Sequence, residues 1–233
     1  EATRLFELRL ASGVSARITD LGAALVGLSC PDRNGRMDDI VLACGDGAAQ
    51  QAQRAYFGAV IGRVAGRISG ARIDLADGTL HLAANHGAHQ LHGGIIGLSG
   101  RRWRAHAVDG PDPSVRFETE SPDGDEGFPG HLKVSATWTV APPCQLSVLI
   151  EASCDARTPF NPTIHPYFNL DGHASGTLAH HRLAIAASCY TPIGAECLPT
   201  GTIEDVAGTP FDFREPRPVL GDGQPGIAGF DHN

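Results

Sequence analysis

Apolar and polar residues alternate with a period of two along much of this chain, which marks strands with one buried and one wet face. Between Leu132 and Val140, the residues Leu132, Val134, Ala136, Trp138 and Val140 interleave with Lys133, Ser135, Thr137 and Thr139. Past a turn at Pro142-Pro143 the pattern resumes in Leu146, Val148, Ile150 and Ala152. Phe6, Leu8 and Leu10 alternate with Glu7 and Arg9, and Val115, Phe117 and Thr119 predict another strand. Leu183, Ile185 and Ala187 predict one more. Ile73 and Leu75 face Leu80 and Leu82 across a turn centred on Asp77-Gly78, which reads as a hairpin. Helical spacing is confined to one short stretch, Ala48 to Tyr56.

The 29 glycines and 16 prolines are spread as turn punctuation and do not gather into a linker. No composition shift and no repeat divides the chain. One all-β antiparallel domain, a sandwich or a barrel, is therefore expected across residues 1–233. Charge then narrows the partners. The net charge of −8 and the lack of any basic run make nucleic acid an unsuitable partner. No apolar run approaches the roughly 20 residues that a membrane helix needs, so no membrane partner is expected. The six cysteines contain no C-x-x-C pair and are too sparse for a disulfide scaffold. Free thiols and a cytoplasmic location are expected.

Eleven histidines raise the question of a metal. His86, His89 and His92 are three apart, but Gly87, Gly93 and Gly94 argue against the helix that would align them. His180 and His181 would point to opposite faces of a strand. No metal is expected. Gly62 and Gly66 lack the spacing and the following helix of a dinucleotide turn, and neither a phosphate-loop motif nor a G-x-S-x-G elbow is present. No cofactor is expected.

Several stretches remain unexplained by packing alone. Residues 161–170 read Asn-Pro-Thr-Ile-His-Pro-Tyr-Phe-Asn-Leu, residues 89–94 His-Gln-Leu-His-Gly-Gly and residues 62–67 Gly-Arg-Val-Ala-Gly-Arg. The loop Gly124 to Gly130, Leu198-Pro199-Thr200-Gly201, Thr209 to Phe213 and Gly229-Phe230-Asp231-His232 complete the set. In this order, over nearly the whole chain, they resemble the galactose mutarotase (aldose 1-epimerase) family.

The resemblance implies a large antiparallel β-sandwich of the galactose mutarotase-like type, as a monomer or homodimer. It implies a small-molecule aldose as partner, with the α and β anomers of free hexoses such as galactose and glucose exchanged without a cofactor. His165 matches the general acid, a task that suits an imidazole because its reference pKa of about 6.5 lies near neutrality. His92 matches a residue that polarises the leaving oxygen, and Arg67 supplies a planar fork of donors for sugar hydroxyls. Asp231 matches a carboxylate that accepts from those hydroxyls. Tyr167, two residues beyond His165, shares its face if the segment is extended, and is expected to line the pocket and bind the substrate. Arg63 is expected to serve the structure, and Trp103 and Trp138 to pack in the core.

Departures from the family are equally specific. Gly66 stands where the family usually has Asn, and Ile164 and Pro166 replace small polar residues. The family's general base is a glutamate that the resemblance places after the Gly-Phe-Asp-His segment, beyond Asn233, with the last strands of the sandwich. Glu126 and Glu196 lie in loops that resemble non-catalytic ones. These 233 residues are therefore expected to be a fragment of a longer polypeptide. The alternative is a non-catalytic sugar-binding protein or a truncated, inactive relative.

Overall fold

The computed structural model describes residues 3–45, 47–53, 55–76 and 78–219. They divide into two compact units, with the boundary between Phe168 and Asn169.

The first unit opens with an antiparallel sheet in chain order, β1 (Leu5–Arg9), β2 (Ser15–Thr19), β3 (Leu25–Pro31) and β4 (Met37–Asp39). The chain then runs through a short helix, α1 (Gly47–Ala52), and five small pieces. These are β5 (Val60–Ile61), β6 (Arg67–Ile68), β7 (Arg72–Leu75), β8 (Gly78–His81) and β9 (Gln90–Leu91). A second antiparallel sheet follows, again in chain order: β10 (Arg104–Val108), β11 (Ser114–Ser121), β12 (Leu132–Ala141) and β13 (Gln145–Cys154). Finally β14 (Thr163–Ile164) returns to pair with β5.

The period-two pattern is what joins the two sheets. All five inner residues of β12, from Leu132 to Val140, are at most 3% exposed. Trp138 sits opposite Val115 on one side and Val148 on the other. Phe6 of the first sheet meets Phe117 of the second edge to face, with centroids 5.3 Å apart. Each such buried side chain stabilises the fold by roughly 1.5–3 kcal/mol. Both tryptophans belong to this core, with indole N–H groups donating to the Leu98 and Ala23 carbonyls.

Two expectations are corrected. The helix stops at Ala52 and does not reach Tyr56, whose φ of +58° is incompatible with a right-handed helix. The strand expected over residues 183–187 is reduced to Arg182–Leu183, because the next residues find no sheet neighbour among the described residues; the Ile185 N–H donates to the Phe213 carbonyl and its side chain stays exposed. The hairpin is present, with Leu75 opposite Gly78.

The second unit carries short antiparallel ladders, β15 (Arg182–Leu183) with β18 (Arg217–Pro218) and β16 (Cys189–Tyr190) with β17 (Glu204–Asp205). Tyr190 stacks on Phe211 at 4.5 Å, and the Arg217 guanidinium lies 3.9 Å from the Phe213 ring centre. Among the described residues no helix is long and apolar enough to cross a membrane.

One buried cation ties the strand pieces of the first unit to the second sheet. Arg63, only 2% exposed, follows β5 and donates to the Ser121 hydroxyl and carbonyl, to the carbonyls of Pro122, Pro129 and Gly130, and to the Thr158 hydroxyl. Its role is structural, as the sequence led us to expect. The substitution Arg63→Met keeps the bulk and strands these acceptors, each costing about 1–3 kcal/mol when left unpaired. Urea unfolding is therefore expected to show a loss of about 3 kcal/mol or more, and a loss below about 1 kcal/mol would contradict the assignment.

Candidate active site

Two short ladders place the residues that the sequence singled out. In the first, Val60 and Ile61 of β5 pair with Ile164 and Thr163 of β14. The ladder continues past the strands, because the His165 N–H donates to the Ala59 carbonyl at 3.0 Å and the His165 carbonyl accepts from Gly58 at 2.9 Å. His165 is thereby held by its backbone on both sides. In the second, Arg67 and Ile68 of β6 pair with Leu91 and Gln90 of β9. This ladder also runs on: the His92 N–H donates to the Gly66 carbonyl at 3.0 Å, and the Gly66 N–H donates to His92 Nδ1 at 3.1 Å.

The second exchange requires unusual backbone. Gly66 has φ of +78° and His92 of +54°, the left-handed region that most side chains avoid. Glycine adopts that region freely, so Gly66 takes up this conformation without strain. A Cβ at Gly66 would meet nothing within 4 Å. At Gly93 the reverse holds, since a Cβ there would lie 1.7 Å from the Gly62 carbonyl oxygen, so only glycine lets the His92 loop lie against the end of β5.

Two side chains clamp that loop. The Asn85 amide accepts from the Leu91 N–H and donates to the Leu91 and Gly94 carbonyls. The Glu126 carboxylate accepts from the N–H groups of Ile95, Ile96 and Gly97 at 2.8–3.2 Å. Glu126 is thus committed to backbone donors, which is not the setting of a general base.

The result is a groove of about 560 Å³ lined by Ala65, Gly66, His92 and the run Asn161 to Pro166. Inside it the His92 and His165 rings approach to 5.2 Å between centroids, nearly perpendicular. The Tyr56 ring touches both, at 4.8 Å and 6.0 Å. Tyr167, expected to line the pocket, is not among the residues lining this groove; it lies 5.1 Å from His165, packs on Phe57 and donates its hydroxyl to the Ala55 carbonyl, so it braces His165. A larger hollow of about 770 Å³ lies on the outer face of the second sheet. It is lined by ion-paired residues such as Arg116, Glu118 and Glu151, without a histidine or an aromatic ring, and reads as a solvated strand face.

Electrostatics separate the two histidines. Burial, and then the neighbouring charges of His165 and Arg67, push the His92 pKa down to about 4. With Nδ1 accepting from Gly66, the single proton of neutral His92 sits on Nε2. His92 is a fixed neutral donor. Arg67 stands next to Gly66 but does not line the groove, and its Nε is buried with no hydrogen-bond partner among the described residues. Asp231 lies outside the described residues. Among the described residues no three His, Cys, Asp or Glu side chains cluster as a metal site would require; His89, for one, uses Nδ1 to accept from the Gly70 N–H.

Sequence reasoning missed Tyr56, Asn85, Asn161 and the clamping role of Glu126. Tyr56-Phe57-Gly58 carried a usable signal, one of only three tyrosines placed directly before a buried strand.

Comparison with known proteins agrees with this architecture. The family model described as Aldose 1-epimerase matches residues 4–233. The chain is 38% identical over 231 residues to galactose mutarotase of Mus musculus, covering 98% of this chain and 66% of that protein. It is 36% identical over 234 residues to aldose 1-epimerase of Escherichia coli K12, covering 98% and 67%. Among solved structures, an aldose epimerase homologue from C. elegans superposes with a TM-score of 0.87 at 34% identity, over 94% of this chain and 66% of that one. Galactose 1-epimerase from Lactobacillus acidophilus gives 0.82 at 27% identity, over 93% and 67%. The chain spans about two thirds of the length of the curated relatives it matches. With its sandwich, its paired histidines and this match over nearly its full length, the chain belongs to the aldose 1-epimerase family.

Proposed function

We propose that the polypeptide carrying this chain is an aldose 1-epimerase that interconverts the α and β anomers of free hexoses, galactose and glucose, by acid–base opening of the sugar ring. The observation that carries the reading is the meeting of His92 and His165 in one groove, with one imidazole fixed as a neutral donor.

Ring opening requires a proton for the ring oxygen and an acceptor for the proton of the anomeric hydroxyl. Rotation about the bond to the carbonyl carbon and reclosure then give the other anomer. An imidazole with a pKa of about 4 carries no transferable imidazolium proton at neutral pH, so His92 supplies a hydrogen bond from Nε2 to a sugar oxygen and polarises it. The proton donor is then His165. The family resemblance gives Asp231 and Arg67 as the groups for sugar hydroxyls, with Arg67 beside Gly66 at the edge of the groove, and it gives a glutamate as the base. The six free cysteines support a reducing compartment such as the cytoplasm.

The whole polypeptide is expected to accelerate the return of fresh α-D-galactose to anomeric equilibrium, followed by polarimetry. His165→Gln is expected to lower kcat by about 10²–10⁴-fold, the usual worth of a general acid. A variant within about threefold of wild type would remove His165 from that role, and no acceleration by the wild type would leave sugar binding without catalysis.

His92 also predicts a pH dependence of stability. Its folded pKa of about 4 lies below the ordinary 6.5, so between those values the unfolded chain binds more protons than the folded one. Stability should therefore be greatest above about pH 6.5 and fall as the pH drops towards 4. Urea midpoints across this window should fall more steeply for wild type than for His92→Gln; parallel curves would refute the assignment.

A further inference from the structure

Tyr56 makes none of the sugar contacts assigned above, yet its ring touches both histidines of the groove. Its backbone is left-handed, at φ of +58°, a conformation that bulky residues adopt only when their surroundings impose it. The surroundings that impose it are visible. The Tyr56 carbonyl accepts from Ala59, Gly58 donates to the His165 carbonyl, and Ala55 accepts from the Tyr167 hydroxyl. Phe57 packs edge-on against Tyr167 at 5.0 Å while Tyr56 packs against His92 at 4.8 Å. Segment 55–57 thus grips segment 165–167 and at the same time places a ring on the opposite histidine. His92 itself is left-handed, so two strained residues meet face to edge, one of them lining the groove.

We propose that Tyr56 is a positioning residue of this site, its ring wedging the His92 and His165 imidazoles at a fixed separation and screening His92 from water. The catalytic consequence rests on the epimerase reading; the structural one does not. The charged groups that face His92 are Arg67, from β6, and His165, beyond β14. Both disfavour its protonation, and neither is removed when Tyr56 is changed. Loss of the ring therefore acts through burial, the largest cause of the depressed pKa.

The test is imidazole nitrogen NMR of the whole polypeptide from acid to neutral pH, on wild type, Tyr56→Phe and Tyr56→Gly. Glycine accepts a positive φ at no cost, so Tyr56→Gly removes the ring without straining the fold. We expect wild type and Tyr56→Phe to hold His92 neutral, protonated on Nε2, down to about pH 4. In Tyr56→Gly the proton affinity of His92 should rise about tenfold or more, with kcat for galactose down about 10–100-fold and KM changed less. His92 titrating in Tyr56→Gly as it does in wild type would overturn the proposal. If no variant and no wild type turns over galactose, the epimerase reading fails, while the titration still decides the role of Tyr56.

Discussion

The reciprocal bonds between Gly66 and His92 are the constraint on which the site depends. One bond continues the ladder of β6 and β9 by a residue, and the other takes the backbone N–H of Gly66 to His92 Nδ1. The pair fixes the imidazole's position and its tautomer together, and burial then keeps the ring neutral. Among the described residues nothing equivalent is imposed on the His165 ring, whose restraint comes through the backbone and through neighbouring rings. On the proposed reading, a proton that must stay and a proton that must move belong to differently held imidazoles. This division is the physical basis of the acid–base reading.

The sandwich contributes by making these short ladders rigid. Two-residue strands such as β5, β6, β9 and β14 have little stability of their own. They persist because Arg63 bonds the connection after β5 to the end of β11, to the loop before β12 and to Thr158, all anchored on a packed core. Glu126 extends the same loop towards the His92 turn by accepting three successive backbone donors. Catalytic side chains on irregular backbone, positioned by a regular scaffold, are the common arrangement of a functional site.

Legibility in the sequence followed range. Strands β11 and β12 were readable because each buries one face of an alternating run, as Leu132 to Val140 shows, and β13 carries the same alternation with Leu146, Val148 and Ile150 half-buried. His92 and His165, which meet in one groove, were readable because their motifs occur in family order, whereas Arg67, read from the same motif, lies beside Gly66 and outside the lining of that groove. Tyr56 was not, since its place depends on a positive φ and on rings more than thirty residues away. Asn85 and Glu126 act on backbone groups, which leave no pattern of side-chain types. The alternation of Leu183, Ile185 and Ala187 misled for the opposite reason: a strand pattern describes a buried face only if a neighbouring strand exists to pair with it.

The most direct test of the two-histidine site is a crystal structure of the whole polypeptide with galactose bound. The account predicts a sugar seated between Gly66 and Asn161, with His92 Nε2 and His165 each within about 3 Å of a sugar oxygen and His92 Nδ1 still on Gly66. A sugar bound elsewhere, or a His92 ring turned so that Nδ1 faces the ligand, would contradict it.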